Sequence, residues 1–244
     1  IVATPSDFGQ QGERPTHPEL LDWLALELIR HDWDLKPLHR LMMTSAPYQL
    51  DAHTDPEKAD RDPDNRLLWR FARRRLEAEV VRDSLLSVSG RLNQTMYGPG
   101  TLDTSMTRRS VYFTVKRSQL IPMMVVFDAP DALGGIGDRP ATTVAPQALY
   151  LMNNQQVRAC AQSVAARIVE GAPESNRDKS HLAAAAFRSV LSRDPDDQEQ
   201  AAGSTFLKRQ AALHTEAGHA DAGGRAVADL CQVLMSLNEF AYLD

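Results

Sequence analysis

Between Arg73 and Asp83 the chain reads Arg-Arg-Arg-Leu-Glu-Ala-Glu-Val-Val-Arg-Asp, the densest run of charge in the sequence, and it leads into an apolar stripe. At about 100° per residue, Ala78, Val81, Leu85, Val88 and Leu92 fall on one face of a helix. A face of that spacing belongs in a core. Glu79 and Asp83 stand four residues apart on another side, with Arg75 and Arg82 flanking Glu79. Carboxylates on adjacent turns repel each other unless a cation joins them. That cation is either an arginine already in the sequence or something bound. The first alternative is a structural network, and the second is a carboxylate site for a metal or for acid/base chemistry.

The 244 residues, 43% of them hydrophobic, are enough to bury a real core. A net charge of −5 leaves no basic excess to neutralise many phosphates, so nucleic acid is not an expected partner. No apolar run approaches the roughly 18 residues of a membrane-spanning helix, so no transmembrane segment is expected. The two cysteines, Cys160 and Cys231, each lie in an amphipathic helical pattern and read as buried free thiols. No Cys-x-x-Cys-His motif attaches a c-type haem to this chain. Because the sequence opens at Ile1 without a methionine, it is expected to be a fragment of a larger multidomain protein.

The rest of the chain reads as helices. Thr16, Pro18 and Glu19 form a capping-box pattern for a helix to about Arg30, with Leu21, Leu24 and Leu28 inward and Trp23 and Leu26 widening the buried surface. Asp34 caps a second helix that presents Leu38, Leu41, Met42 and Ser45 on one face. Residues 51 to 65 form a polar connector, and Leu67, Leu68, Trp69 and Phe71 anchor the entry to the charged run in the core. Val111, Phe113 and Val115 alternate with Tyr112, Thr114 and Lys116, the strand-like stretch of the chain. Helices then run from Thr143 to Met152 and, past Asn153 and Asn154, to about Val169. A hairpin of His181 to Ser192 and Pro195 to Leu213 comes next. A polar loop holding His214 and His219 leads to a last helix, Ala226 to Leu237, with Leu230, Val233, Leu234 and Leu237 inward. The expected fold class is mainly α: an irregular helical bundle with one short extended or β segment around residues 110–116. It forms a single helical domain over 1–244, divisible into N-terminal helices (1–100), an extended segment (101–143) and C-terminal helices (144–244).

Several chemistries are thinly supported. None of the seven histidines, His17, His31, His39, His53, His181, His214 and His219, forms a tight ligand pair, so no metal is expected. The pairs Met42-Met43 and Met123-Met124 read as core filling. Gly134, Gly135 and Gly137 do not match the spacing of a phosphate-binding turn. Glu77, Glu79, Asp83, Asp128 and Asp131 supply carboxyl groups that glycosidase-like acid/base catalysis could pair. The strongest candidate site is a concave polar patch of Arg74, Glu79, Arg82, Asp83, Arg109, Lys116, Arg117 and Arg139. Planar guanidinium forks suit carboxylate or sulfate groups on a ligand. The alternative is that these arginines meet Glu79, Asp83 and Asp128 internally and tie the central segment to the helices.

Longer motifs carry a resemblance. They include Gly12-Glu-Arg-Pro-Thr-His-Pro-Glu-Leu-Leu-Asp-Trp-Leu-Ala25, Leu38-His-Arg-Leu41 with Thr44, Ser45 and Tyr48, and Arg74-Arg-Leu-Glu-Ala-Glu79 with Arg82-Asp83. Further along stand Arg109-Ser-Val-Tyr112, Lys116-Arg117, Phe127-Asp128 with Pro130, Thr143 with Pro146-Gln-Ala-Leu149 and Asn153, and Leu237-Asn-Glu-Phe240 with Tyr242. Together they resemble a bacterial domain family of unknown function, first described in planctomycetes in large proteins that also carry cytochrome-c-like modules. The resemblance implies a carboxyl-terminal domain of an extracytoplasmic protein, with no cofactor in this chain and haem c elsewhere in the full-length protein. It also implies other domains of the same polypeptide as partners and, through gene neighbours similar to sulfatases, an anionic polysaccharide. The expected function is a non-catalytic interaction or ligand-binding module. The alternative is a polysaccharide-active hydrolase using paired carboxylates.

Overall fold

A computed structural model describes residues 1–7, 9–130, 139–173 and 178–243. Regular structure among them is almost entirely helical, as the periodicity of the sequence requires. The chain divides into two compact units: unit 1, comprising Ile1–Arg74, Gly135–Arg139 and Leu243–Asp244, and unit 2, comprising Arg75–Gly134 and Pro140–Tyr242.

In unit 1, α1 (Pro18–Arg30) starts with proline in the first turn, where its missing N–H costs nothing. The N-cap is His17 and not Thr16, because the Thr16 hydroxyl is engaged with His17 Nδ1 at 2.9 Å and the Ile1 carbonyl at 3.2 Å. Asp32 and Trp33 turn the chain through positive φ, and the Trp33 N–H closes the helix end on the Leu28 carbonyl at 3.0 Å. Asp34 then caps α2 (Leu35–Met43) by accepting from the Lys36 N–H. Neither helix holds a buried residue. Leu26 is 53% exposed, Ile29 56% and Trp33 72%, and Leu21, Trp23, Leu41, Met42 and Met43 are exposed as well. This corrects the expected inward stripes and the expected core role of Met42-Met43: two short helices have an apolar side but do not by themselves enclose a volume. The expected connector contains α3 (Pro56–Arg61), capped by Asp55. Asp62 is the one buried residue among those described in 1–74. Its carboxylate accepts the Arg66 and Leu67 N–H groups at 2.9 and 2.7 Å, and its carbonyl accepts Trp69 Nε1 at 2.9 Å. Leu67 and Leu68 are therefore exposed turn residues and not core anchors.

The triple arginine, whose last member Arg75 is the first residue of unit 2, does not open a helix. Arg74–Arg75 is a two-residue strand, β1, paired with β2 (Tyr242–Leu243), and α4 begins only at Ala78 and ends at Val88. Its stripe packs as the spacing dictates, with Ala78, Val81 and Leu85 buried and Val88 and Leu92 half-buried against the same core. Gly90 ends it at φ +71. Residues 110–116 keep their extended character at Phe113, which bridges to Thr101. Ahead of it Ser110–Tyr112 is a 3₁₀ turn, with the Tyr112 and Phe113 N–H groups spent on the Arg109 and Ser110 carbonyls, and Val111 and Val115 face outward.

The remaining helices are α5 (Pro122–Val126), α6 (Ala145–Asn153), α7 (Gln155–Gly171), α8 (Lys179–Leu191), α9 (Asp197–Glu216), α10 (Ala222–Met235) and α11 (Asn238–Ala241). Helix α10 is the centre of this bundle, packed on α7, α8 and α9. It buries Val227, Leu230, Cys231, Leu234 and Met235, while Val233 and Leu237, expected inward, are exposed. Burying a side chain of this size stabilises by about 1.5–3 kcal/mol. The close approach of α8 and α9 needs Gly203, where an added Cβ would lie 3.1 Å from the Ala183 Cβ. Met123 and Met124 fill the core as expected, and Cys160 and Cys231 are buried free thiols. Burial pushes the Cys231 thiol up to about 12.

Candidate functional site

The charged patch expected from the sequence resolves, within unit 2, into two arginine-centred clusters. The first surrounds Arg82, 5% exposed on the inner side of α4. Its Nη1 donates to the Arg108 carbonyl at 3.0 Å and to Ser110 Oγ at 3.2 Å, and its Nη2 donates to the Met106 carbonyl. The guanidinium lies over the Phe113 ring at 4.6 Å. Asp83, the next residue, accepts the Ser110 N–H at 2.8 Å and its hydroxyl at 2.7 Å, and pairs with Arg109 Nε at 3.6 Å. Burial pushes the Arg82 guanidinium below its ordinary range while Asp83 pulls it back, and an arginine stays charged under both pulls. Next to it, Arg108 stacks on Tyr112 and donates to the Thr95 and Tyr97 carbonyls, which pins the 95–112 loop.

The second cluster surrounds Arg75, 8% exposed. Its Nε donates to the Thr142 carbonyl at 3.1 Å, Nη1 to the Leu76 carbonyl at 2.9 Å, and Nη2 to the Phe127 carbonyl at 3.2 Å and Asp128 Oδ2 at 2.7 Å. Asp128 stands at φ +59, a left-handed position that aspartate tolerates. It also accepts the Thr142 N–H and hydroxyl, both at 2.8 Å. Gln147 from α6 closes the cluster, donating to the Val126 carbonyl at 3.0 Å. Burial alone would raise the Asp128 pKa, but the Thr142 hydrogen bonds and then Arg75 outweigh it and hold the carboxyl below its ordinary range. Asp128 therefore has donors on both oxygens, while Asp83 takes both of its hydrogen bonds on Oδ1 and has, among the described residues, only the Arg109 ion pair on Oδ2. That arrangement ties segments together, whereas general acid/base chemistry needs a carboxyl group that can reach a substrate proton.

Of the eight residues expected in the patch, the structure brings together Arg82, Asp83 and Arg109. Glu79 is half-buried on α4. Arg74, Lys116 and Arg117 are exposed and make no ion pair among the described residues. Arg139 belongs to unit 1. Asp131 and the glycines 134, 135 and 137 lie outside the described residues. The partners Thr142, Ser110 and Gln147 are not legible in the sequence, since 53 residues separate Arg75 from Asp128 and 27 separate Asp83 from Ser110. A third cluster escapes the sequence pattern as well. His214, placed in α9 and not in a loop, bonds Asp229 at 2.7 Å, and Asp229 pairs with Arg158 at 2.7 Å. Among the described residues no group of three or more His, Cys, Asp or Glu side chains is arranged to hold a metal ion, and no helix is long and apolar enough to cross a membrane.

A mainly helical domain whose buried cations are closed on backbone carbonyls and aspartates is the class these observations define. Residues 1–207 match the family described as Protein of unknown function (DUF1553), PSD1, and the chain belongs to that family. No curated protein and no solved structure matches it.

Proposed function

We propose that the chain is a non-catalytic interaction module whose unit 1 docks another domain of the same polypeptide. The observation that carries this is the uncovered apolar side of α1 and α2, where Leu26, Ile29, Trp33 and Met43 are all more than half exposed. Several large apolar side chains exposed along one pair of helices are what an interaction surface leaves uncovered. The charged residues around this face are of both signs, Glu19, Asp22 and Glu27 with Arg30 on α1 and Lys36 and Arg40 on α2, a mixture with no basic excess to hold an anionic lipid surface and one that suits a protein partner. The use of Asp128 and of Asp83 Oδ1 as acceptors for Arg75, Thr142 and Ser110 supports the non-catalytic part of the proposal. The resemblance to planctomycete proteins with cytochrome-c-like modules supplies the setting: an extracytoplasmic protein that holds haem c in a different domain.

The test is to mix this chain with the separately produced remainder of the polypeptide and monitor association by sedimentation velocity. A complex is expected, weakened at least about tenfold by the double substitution Leu26→Glu, Ile29→Glu, since each buried side chain contributes about 2 kcal/mol. No complex, a complex indifferent to the substitutions, or binding to anionic vesicles or to a second copy in its place would overturn the proposal.

A further inference from the structure

Unit 2 contains a cleft between α4, the turn at residues 104–107 and the junction of α6 with α7. Two neighbouring cavities, of about 170 and about 410 Å³, share Arg82, Thr104, Met123, Tyr150 and residues 154–156 as walls. One side is apolar, built from Leu85, Leu86, Met123, Val157 and Cys160. Arg82, with the Asp83 carboxylate 3.7 Å behind its Nη1, and Arg91 supply the charge, and among the described residues no carboxylate lines either cavity, in a chain whose net charge is −5. A cleft with only cations in an acidic protein selects for an anion.

Several of the polar groups in its walls are donors with capacity left. Arg82 spends Nη1 and Nη2 on Arg108, Ser110 and Met106, but its Nε–H has no partner among the described residues. Arg91 is exposed and makes no ion pair among the described residues. The Tyr150 hydroxyl is likewise without a hydrogen-bond partner among them, and burial pushes its pKa up against the pull of Arg82, so it remains a donor at neutral pH. At the start of the 17-residue α7, Asn154 satisfies the Gln156 N–H through its side chain at 2.8 Å and the Arg158 N–H through its carbonyl at 3.0 Å. The Gln155 and Val157 N–H groups have no partner among the described residues, and the positive end of the helix dipole adds to their pull on an anion.

We infer that this cleft binds a small amphiphilic carboxylate, its charge met by Arg82, Arg91 and the first turn of α7 and its apolar body laid against Leu85, Met123 and Cys160. The guanidinium fork of Arg91 fits carboxylate geometry, Arg82 adds its Nε–H alone, and a mostly apolar wall with a few convergent donors is the usual make-up of a small-molecule site. The inference goes beyond the docking role of unit 1 and does not rest on it, because every residue it uses lies in unit 2.

The experiment titrates the full chain by NMR with straight-chain carboxylates from acetate to octanoate and with 3-phenylpropionate, each beside its neutral amide. Saturable binding is expected for the longer-chain or aryl acids, with the amides at least about tenfold weaker. Arg91→Gln, which removes a side chain that holds nothing in the fold, is expected to weaken the acids several-fold at unchanged Tm. Tyr150→Phe is expected to weaken them by less, and Ala159→Met, which fills the smaller cavity, to abolish binding. Amides that bind as tightly as acids would overturn the inference. So would acids indifferent to both Arg91→Gln and Ala159→Met, or the absence of saturable binding by every acid up to about 10 mM, the weak end of specific affinity.

Discussion

The helices of unit 1 and those of unit 2 are written in the same pattern, yet only the second set encloses a core. Helix α1 has apolar residues at helical spacing and buries none of them completely, whereas α10 buries seven of its fourteen. The difference lies in the number of neighbours. Helix α10 is surrounded by α7, α8 and α9, while α1 has the nine-residue α2 beside it within its unit. Periodicity selects which face is apolar, and topology decides whether that face is covered. A second contrast grows out of the first. In unit 2, arginines enter the interior because carbonyls, aspartates and aromatic rings meet them there, while the charged residues of α1 and α2 remain at the surface.

The sharpest way to break this comparison is to remove an anchor from unit 2. Asp128→Ala leaves the Arg75 guanidinium buried without its acid and places alanine at positive φ, so a loss of about 3–5 kcal/mol is expected in urea unfolding. Asp128→Asn keeps the backbone preference and is expected to cost less. Gly203→Val forces α8 from α9 and is expected to cost about 1–3 kcal/mol in the same assay. Gly90→Ala combines a positive φ with a Cβ placed 2.7 Å from Arg167 Nη1, and a loss of about 1–2 kcal/mol is expected, partly relieved by movement of the arginine.

Acid titration sharpens the same contrast. Arg193 donates to both Glu199 and Glu239 in unit 2, and its hydrogen bonds to Glu199, with that from the Asp196 N–H, lower the Glu199 pKa from 4.5 to about 2. A folded pKa below the unfolded one gives stability that is complete above the unfolded value and is lost as pH falls toward the folded one. Unit 2 is thus expected to lose stability between about pH 4.5 and pH 2, with Asp128 acting in the same direction, and Glu199→Gln is expected to flatten that loss in a pH series of thermal melts. The smallest effect belongs to unit 1, where Leu26→Ser is expected to change the stability of the isolated chain by no more than about 0.5 kcal/mol, as for other exposed positions.

Much of the architecture was legible in the sequence because helices are local. The stripe from Ala78 to Leu85, the cap at Asp34, the break at Asn154 and the burial of both cysteines all depend on residues within a few turns of one another. The charge run from Arg73 to Asp83 was legible as a network and misplaced as a helix start, since Arg74 and Arg75 pair with Tyr242 and Leu243 at the far end of the chain. Arg75 finds Thr142 across 67 residues, and His214 finds Asp229 across a helix boundary, partnerships that no spacing rule encodes. The exposure of α1 and α2 is not legible for the complementary reason, because an amphipathic face does not state whether its cover is in the same chain.

The docking role proposed for unit 1 is tested most directly by hydrogen exchange, read by mass spectrometry on the 244-residue chain alone and mixed with the further domain proposed as its partner. Alone, the amides of α1 and α2 are expected to exchange orders of magnitude faster than those of α7 and α10, and on mixing only the former are expected to slow. Protection of α1 and α2 equal to that of α10 in the isolated chain, or exchange in α1 and α2 unchanged by the mixture, would contradict it.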